Sequence, residues 1–180
     1  MALLMAVPVQ RLAASLLLAA CAAAARAEAP SAGASLEYAV KANFLVRFVP
    51  FVTWPATAFV AANAPFVICI VGEDPFGSAI DEAARGRTIG PRAIVVRRTA
   101  SVDAGCHLLY ARKPAVLVPA PVAAALTVCD NRCEGARAMI RFAVRNGRVR
   151  FVIDPVAVQA GGLTISSKLL GLALPPEPGR

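Results

Sequence analysis

Five cysteines are the residues of this chain best suited to covalent chemistry. Cys21 lies in an apolar N-terminal run, and Cys69, Cys106, Cys129 and Cys133 are distributed over the rest of the chain. An even number of cysteines in an oxidising compartment favours disulfide bonds. We therefore expect disulfides among these four residues, although more than one pairing is open to them.

Cys129 and Cys133 are separated by three residues, so they do not form the C-x-x-C motif of thioredoxin-type redox proteins. A bond between them would close a tight, exposed loop, which Gly135 would allow to bend. Such a bond would be strained and more easily reduced than one across a long loop, which makes it a candidate redox lever. A purely structural staple is the simpler interpretation.

The same cysteines and the single histidine raise the question of a zinc site. Cys106, His107, Cys129 and Cys133 are residue types that bind zinc. However, Cys106 and His107 are neighbours in a predicted strand, and adjacent strand residues point to opposite faces. We therefore predict no metal site and expect His107 at a strand surface.

A hydrolytic site is equally disfavoured. A Ser-His-Asp arrangement would have to use His107, and the chain lacks a nucleophile-elbow motif. Ser166 and Ser167 precede Lys168, but helix capping explains these serines more simply than a Ser/Lys nucleophile pair does. We predict no catalytic residue and no cofactor.

A β-hairpin carries the main cluster of positive charge. Asn146-Gly147 tolerates the positive φ of a type I′ turn, which places Arg145 opposite Arg148 and Phe142 opposite Phe151. One face of the hairpin is therefore apolar, and the other is basic. The basic face comprises Arg141, Arg145, Arg148 and Arg150. These guanidinium groups would either face solvent or bind carboxylates or phosphates of a partner.

The residues after the hairpin contain clear helix signals. Asp154-Pro155 predicts an N-cap followed by proline at the first helical position. Gly161-Gly162 would end this helix in a left-handed conformation. A short extended piece over 163–165 follows, and Ser166 then caps a last short helix.

The N-terminal half predicts a helix and three strands. Ser35 would cap a helix whose apolar residues recur at helical spacing. These residues are Leu36, Val40, Phe44, Leu45 and Phe48. The ranges 66–71, 93–98 and 106–110 are predicted strands, and Asp74 would cap a helix between the first two.

Together these elements predict a single α/β domain over residues 35–174, with a mixed central sheet, flanking helices and an antiparallel C-terminal hairpin. Prolines interrupt residues 111–130, whose local structure is not predicted. Residues 175–180 form a tail.

The first residues are predicted to direct export. Arg11, an apolar run and the small residues around Ala27 indicate a signal peptide over residues 1–27, followed by a mobile leader over 28–34. Alternatively, residues 1–20 form a lipoprotein signal, and Cys21 becomes lipidated and anchors the protein to the envelope. Either way we expect a periplasmic protein.

The formal net charge is +8, and removal of Arg11 and Arg26 with the signal would leave +6. A basic exported domain suits acidic protein surfaces or anionic lipid. No nucleic-acid-binding motif is present, so nucleic acid is not an expected partner.

Two motifs resemble the YfiR-like family of periplasmic regulators. Residues 162–173 (GLTISSKLLGLA) closely match the family's C-terminal motif, and residues 41–55 (KANFLVRFVPFVTWP) resemble its opening helix, which closes on Trp-Pro. The resemblance implies that Cys69 and Cys106 pair in a disulfide between neighbouring strands. Family members carry a second cysteine pair near Cys129 and Cys133 with a different spacing, and a longer helix where this chain is shortened.

The resemblance also implies a function. Such proteins bind the periplasmic region of an inner-membrane diguanylate cyclase and repress it, which lowers cyclic-di-GMP and limits biofilm formation until redox or envelope stress releases the enzyme. A second copy of the chain is a further candidate partner. The alternative is a periplasmic sensor of a small ligand that works with a histidine kinase or a transporter.

Overall fold

The computed structural model describes residues 32–102, 105–113, 124–131, 133 and 138–175. The predicted export signal, and the predicted tail beyond Pro175, lie outside the described residues. The predicted single α/β domain is confirmed, and a curled mixed sheet is its main layer. The strands are β1 (Val52–Thr53), β2 (Phe66–Val71), β3 (Thr88–Ile89), β4 (Arg92–Thr99), β5 (Leu108–Ala111), β6 (Leu126–Cys129), β7 (Ile140–Arg145), β8 (Arg148–Ile153) and β9 (Thr164–Ile165).

Within the described residues, the main sheet has seven strands in the order β3-β4-β2-β5-β6-β7-β8. The inner strands β4, β2, β5, β6 and β7 run parallel, and antiparallel pairs close both ends. Strand β2 is almost entirely buried, as its continuous apolar sequence predicts for a central parallel strand. A second, small sheet pairs β1 with β9 in antiparallel fashion.

The hairpin register is the one predicted. Arg145 pairs with Arg148 and Phe142 with Phe151, and both turn residues adopt positive φ, 52° at Asn146 and 70° at Gly147. Ile140, Phe142, Phe151 and Ile153 are buried in the main core. A one-residue slip would move the arginines into that core, which fixes the register.

The helices are α1 (Ala32–Phe48), α2 (Ser78–Ala84), α3 (Pro155–Ala160) and α4 (Ser167–Leu170), with short 3₁₀ turns at Val49–Phe51 and Ala56–Ala58. The predicted caps of the last two are confirmed: Asp154 accepts hydrogen bonds from the amides of Val156 and Ala157, and Ser166 accepts one from Lys168. Gly162 takes the left-handed conformation, with φ of 73°.

Two predicted caps were wrong. Helix α1 starts at Ala32, so Ser35 lies inside its first turn. Helix α2 starts at Ser78 after Gly77, and the Asp74 carboxylate instead accepts from the Phe76 amide and from Arg98. Arg98 therefore binds the carboxylate that the local sequence predicted to cap the helix N-terminus.

The apolar face of α1 also differs from the prediction. Leu36 and Val40 are exposed, whereas Lys41 is completely buried alongside Leu45 and Phe48. The face that packs on the sheet is thus rotated relative to the one that apolar spacing indicated.

Candidate functional site

Both disulfides are on the same face of the sheet. Cys69 in the middle of β2 is bonded to Cys106, which directly precedes the β5 region, and Cys129 at the end of β6 is bonded to Cys133. The Cα atoms of each pair lie 5.7 and 5.9 Å apart, which is the usual separation for a disulfide. All four cysteines are buried, so Cys129 and Cys133 are less exposed than expected.

Arg97 contacts the first disulfide. Its Nη2 lies 3.0 Å from the Sγ of Cys106 and 3.4 Å from the Sγ of Cys69. Because β4 and β2 pair in register, Arg97 lies directly beside Cys69. The guanidinium therefore covers the sulfur atoms with positive charge.

The second disulfide encloses a buried carboxylate. Asp130 follows Cys129 and is fully buried, and its Oδ1 forms an ion pair with the buried Nζ of Lys41 on α1. The amide of Asn131 also donates to Oδ1, at 2.7 Å. The disulfide loop is thus joined to a helix that is distant in sequence.

Two tyrosines complete the cluster around Asp130. The hydroxyls of Tyr38 on α1 and Tyr110 on β5 donate to Asp130 Oδ2 at 2.8 and 3.0 Å. Each carboxylate oxygen therefore accepts at least two hydrogen bonds. This is the arrangement that a buried charge requires to be stable.

The pKa values reflect this arrangement. Burial alone would raise the pKa of Asp130, but the hydrogen bond and positive charge of Lys41 outweigh burial and hold this pKa below its ordinary value. Burial and the neighbouring Asp130 raise the pKa of Tyr38 to about 12, and the same causes raise that of Tyr110. Asp130 is therefore ionised and both tyrosines are protonated at neutral pH.

The rim of the cluster is charged as well. Glu37 lies one helical turn before Lys41 and forms an ion pair with it. Arg112 pairs with Glu73 and lies 5.7 Å from the centre of the Tyr38 ring. We name Lys41, Asp130, Tyr38 and Tyr110 the buried charge cluster. Its charges are matched and closed off from solvent, so it suits a structural link better than a reaction centre.

The residues considered for zinc or hydrolysis are otherwise engaged. His107 is buried, contrary to the expected strand surface: its Nδ1 accepts from the Val67 amide at 3.0 Å, and its Nε2 lies 3.1 Å from the Ala58 carbonyl. Its ring stacks on Phe59. Cys106 is held in a disulfide, and Ser166 caps α4. Within the described part of the chain, no group of three potential metal ligands is found.

The basic face lies on β7 and β8, at one end of the sheet, and its Arg141 pairs with Cys129 of β6. Arg145, Arg148 and Arg150 are exposed and Arg141 is half-buried, with the small buried Ala143 opposite Arg150. Its role in binding a partner stays a prediction.

Sequence reasoning missed the buried charge cluster. A lysine within an apolar helix, one turn after a glutamate, was the available signal on α1, and an aspartate between two cysteines was the signal on the loop. Neither indicates a partner that is 89 residues away.

A family model described as YfiR/HmsC-like matches residues 38–174, so the chain belongs to this family and the expected resemblance is confirmed. The family is regulatory and non-catalytic. Among curated proteins, none matches the chain. In the described residues, no helix has both the length and the apolar character needed to cross a membrane.

Proposed function

We propose that this chain is a non-enzymatic periplasmic regulator that binds the periplasmic region of an inner-membrane diguanylate cyclase and holds it inactive. Repression would lower cyclic-di-GMP and so limit biofilm formation. The observation that carries the proposal is the family match over residues 38–174. The paired, buried charges around Asp130 are in keeping with a binding protein.

We further propose that the Cys129–Cys133 bond makes repression responsive to redox state. A dithiol would reduce this bond to two thiols by giving up two electrons and two protons, and would itself become a disulfide. While it is intact, the bond limits the conformational entropy that the loop can gain by opening. Without the bond the loop would open more readily and would hold Asp130 less firmly against Lys41. Loosening of α1 would then weaken binding to the cyclase.

The basic face supplies a candidate contact with the cyclase. Arg148 and Arg150 are exposed on the last strand of the sheet, where another protein has access to them. Guanidinium groups bind carboxylates through paired hydrogen bonds. The cyclase surface that meets them would therefore be acidic.

The test is to measure cyclic-di-GMP in cells with and without this gene. We expect a rise on deletion, which disappears when the cyclase gene is deleted too. If deletion changes nothing under oxidising or reducing conditions, the proposal is wrong. Stabilisation of the purified domain by a small molecule would then favour a ligand sensor.

A further inference from the structure

Strand β8 forms one end of the described sheet and has an open edge. The amide of Leu174 donates to the carbonyl of Phe151 at 2.8 Å, so this carbonyl points away from β7. Along a strand, the N–H and C=O groups of every second residue point to the same side. The N–H and C=O of Val149 therefore also point outward.

The hairpin register supports the same conclusion. Arg145 and Arg148 flank the two-residue turn, where the pair is joined by hydrogen bonds, and the Ala143–Arg150 pair is the next joined pair. Val149 lies between these two hydrogen-bonded pairs, so its own backbone groups form no hydrogen bond to β7. No described residue forms a hydrogen bond to the outward groups of Val149. Leu174 meets this edge further along the strand, where it bridges Val152.

Charge distinguishes the partners this edge accepts. On a strand added to β8, the side chain opposite Arg150 would lie on the same face, with Cα atoms roughly 4.5–5.5 Å apart. A carboxylate there would pair with Arg150, and one two residues away would pair with Arg148. A second copy of this chain would bring arginine against arginine, which is destabilising.

We propose that the β8 edge between the Asn146-Gly147 turn and Leu174 binds an extended acidic segment of a partner protein, which adds to the sheet as a further strand. The N–H and C=O of Val149 and the N–H of Phe151 supply the hydrogen bonds, since the Phe151 carbonyl already accepts from Leu174, and Arg148 and Arg150 select acidic side chains. This inference rests on the proposed function only for the expectation that a protein partner exists.

The test uses a fluorescent peptide of alternating glutamate and valine, titrated into the exported domain. Val149→Pro removes the outward N–H without removing a bond to β7, and leaves every arginine in place. We expect it to weaken binding about tenfold, as the loss of one or two hydrogen bonds would. Arg148→Gln with Arg150→Gln should weaken binding at least as much.

Two controls separate edge addition from general attraction. Arg85→Gln with Arg87→Gln removes the same charge from another exposed stretch and should leave affinity unchanged. The matching lysine–valine peptide should not bind. If Val149→Pro binds the acidic peptide as well as the natural chain does, or if the natural chain shows no saturable binding, the inference is overturned.

Amide exchange gives a readout that does not depend on whether the proline variant folds. In the natural chain, the peptide should slow hydrogen exchange at Val149 and Phe151 but not at the amide of Arg87, which is bonded to Ala84 and lies away from β8. Unchanged exchange at both strand amides would contradict strand addition. Because these measurements use no cyclase, their failure is distinguishable from failure of the repressor proposal, which depends on cyclic-di-GMP in cells.

Discussion

At the scale of single residues, Lys41 is a charged side chain with no exposure to solvent. Its ammonium group is fully buried and is balanced by Asp130 in the disulfide loop. A buried ion pair adds little net stability over an apolar pair, but removal of one partner leaves an uncompensated charge. The cluster therefore makes the helix and the loop depend on each other.

Lys41→Met should consequently destabilise the fold by about 3–5 kcal/mol, because Asp130 would remain buried without its counter-charge. Urea unfolding followed by circular dichroism measures this. Adding Asp130→Asn to Lys41→Met should recover part of the loss. Lys113→Met, at an exposed position, is the control and should change the free energy of unfolding by less than about 0.5 kcal/mol. An equally small effect at Lys41 would refute the coupling.

His107 gives the fold a dependence on pH. Burial lowers the pKa of His107 below its ordinary value of 6.5, and the nearby Arg92 and Arg97 add to this, although the hydrogen bond to Ala58 opposes it. Protonation would also break the hydrogen bond from the Val67 amide to Nδ1. The unfolded chain thus binds the proton more readily than the folded chain.

Stability should therefore be complete above about pH 6.5 and should fall as pH drops from there towards the lowered pKa of the folded state. The slope should not exceed about 1.4 kcal/mol per pH unit, the value for one proton. Unfolding midpoints at pH 7.5 and 5.5 (roughly one unit either side of the ordinary histidine pKa) test this. Because the chain has one histidine, His107→Gln should remove this slope. A slope that persists in the variant would show another group to be responsible.

At the scale of elements, the predictions from sequence were correct where the sequence signal was local. The Asn146-Gly147 turn, the two-residue alternation around it and the caps at Asp154 and Ser166 each specify structure within a few residues, and the structure has all of them. The Lys41–Asp130 pair and the burial of His107 depend on contacts between distant segments. No local pattern encodes such contacts.

Asp74 shows the limit of predicting a helix cap from local sequence. Asp-Pro predicts a helix start, and this prediction holds at Asp154 but not at Asp74. Arg98 on β4 binds both Asp74 and Asp81, so a tertiary ion-pair network overrides the local cap. The prediction for the buried face of α1 was wrong for the same reason. Because Lys41 forms a buried ion pair, it can lie on the face that packs on the sheet, where polarity alone would place Leu36 or Val40.

The link between loop and helix should be visible in amide exchange. Replacing Cys129 and Cys133 by alanine should speed exchange in α1 around Tyr38 and Lys41, because Asp130 would be held less rigidly. Exchange in the outer strand β8 should stay the same, since β8 pairs with β7 and not with the strand that carries Cys129. Equal effects in both elements would indicate general destabilisation and would contradict a specific link.

On the scale of the whole molecule, the two disulfides should have different effects. Cys69 and Cys106 are 37 residues apart and join neighbouring central strands, whereas Cys129 and Cys133 are 4 apart. In the chain-entropy model, the longer loop contributes about 4 kcal/mol and the shorter about 2 kcal/mol. The first bond thus acts on global stability, and the second acts mainly on one corner of the domain.

We therefore expect the Cys69→Ala/Cys106→Ala variant to lose more stability than the Cys129→Ala/Cys133→Ala variant, by about 2 kcal/mol in urea unfolding. In cells we expect the opposite order for the loss of repression. At matched abundance, the Cys129→Ala/Cys133→Ala variant should raise cyclic-di-GMP more than the Cys69→Ala/Cys106→Ala variant, because it loosens α1 while the sheet persists. Immunoblots provide the abundance control. If repression instead follows stability in both variants, the loop has no separate role, and redox control would act through folding of the whole domain.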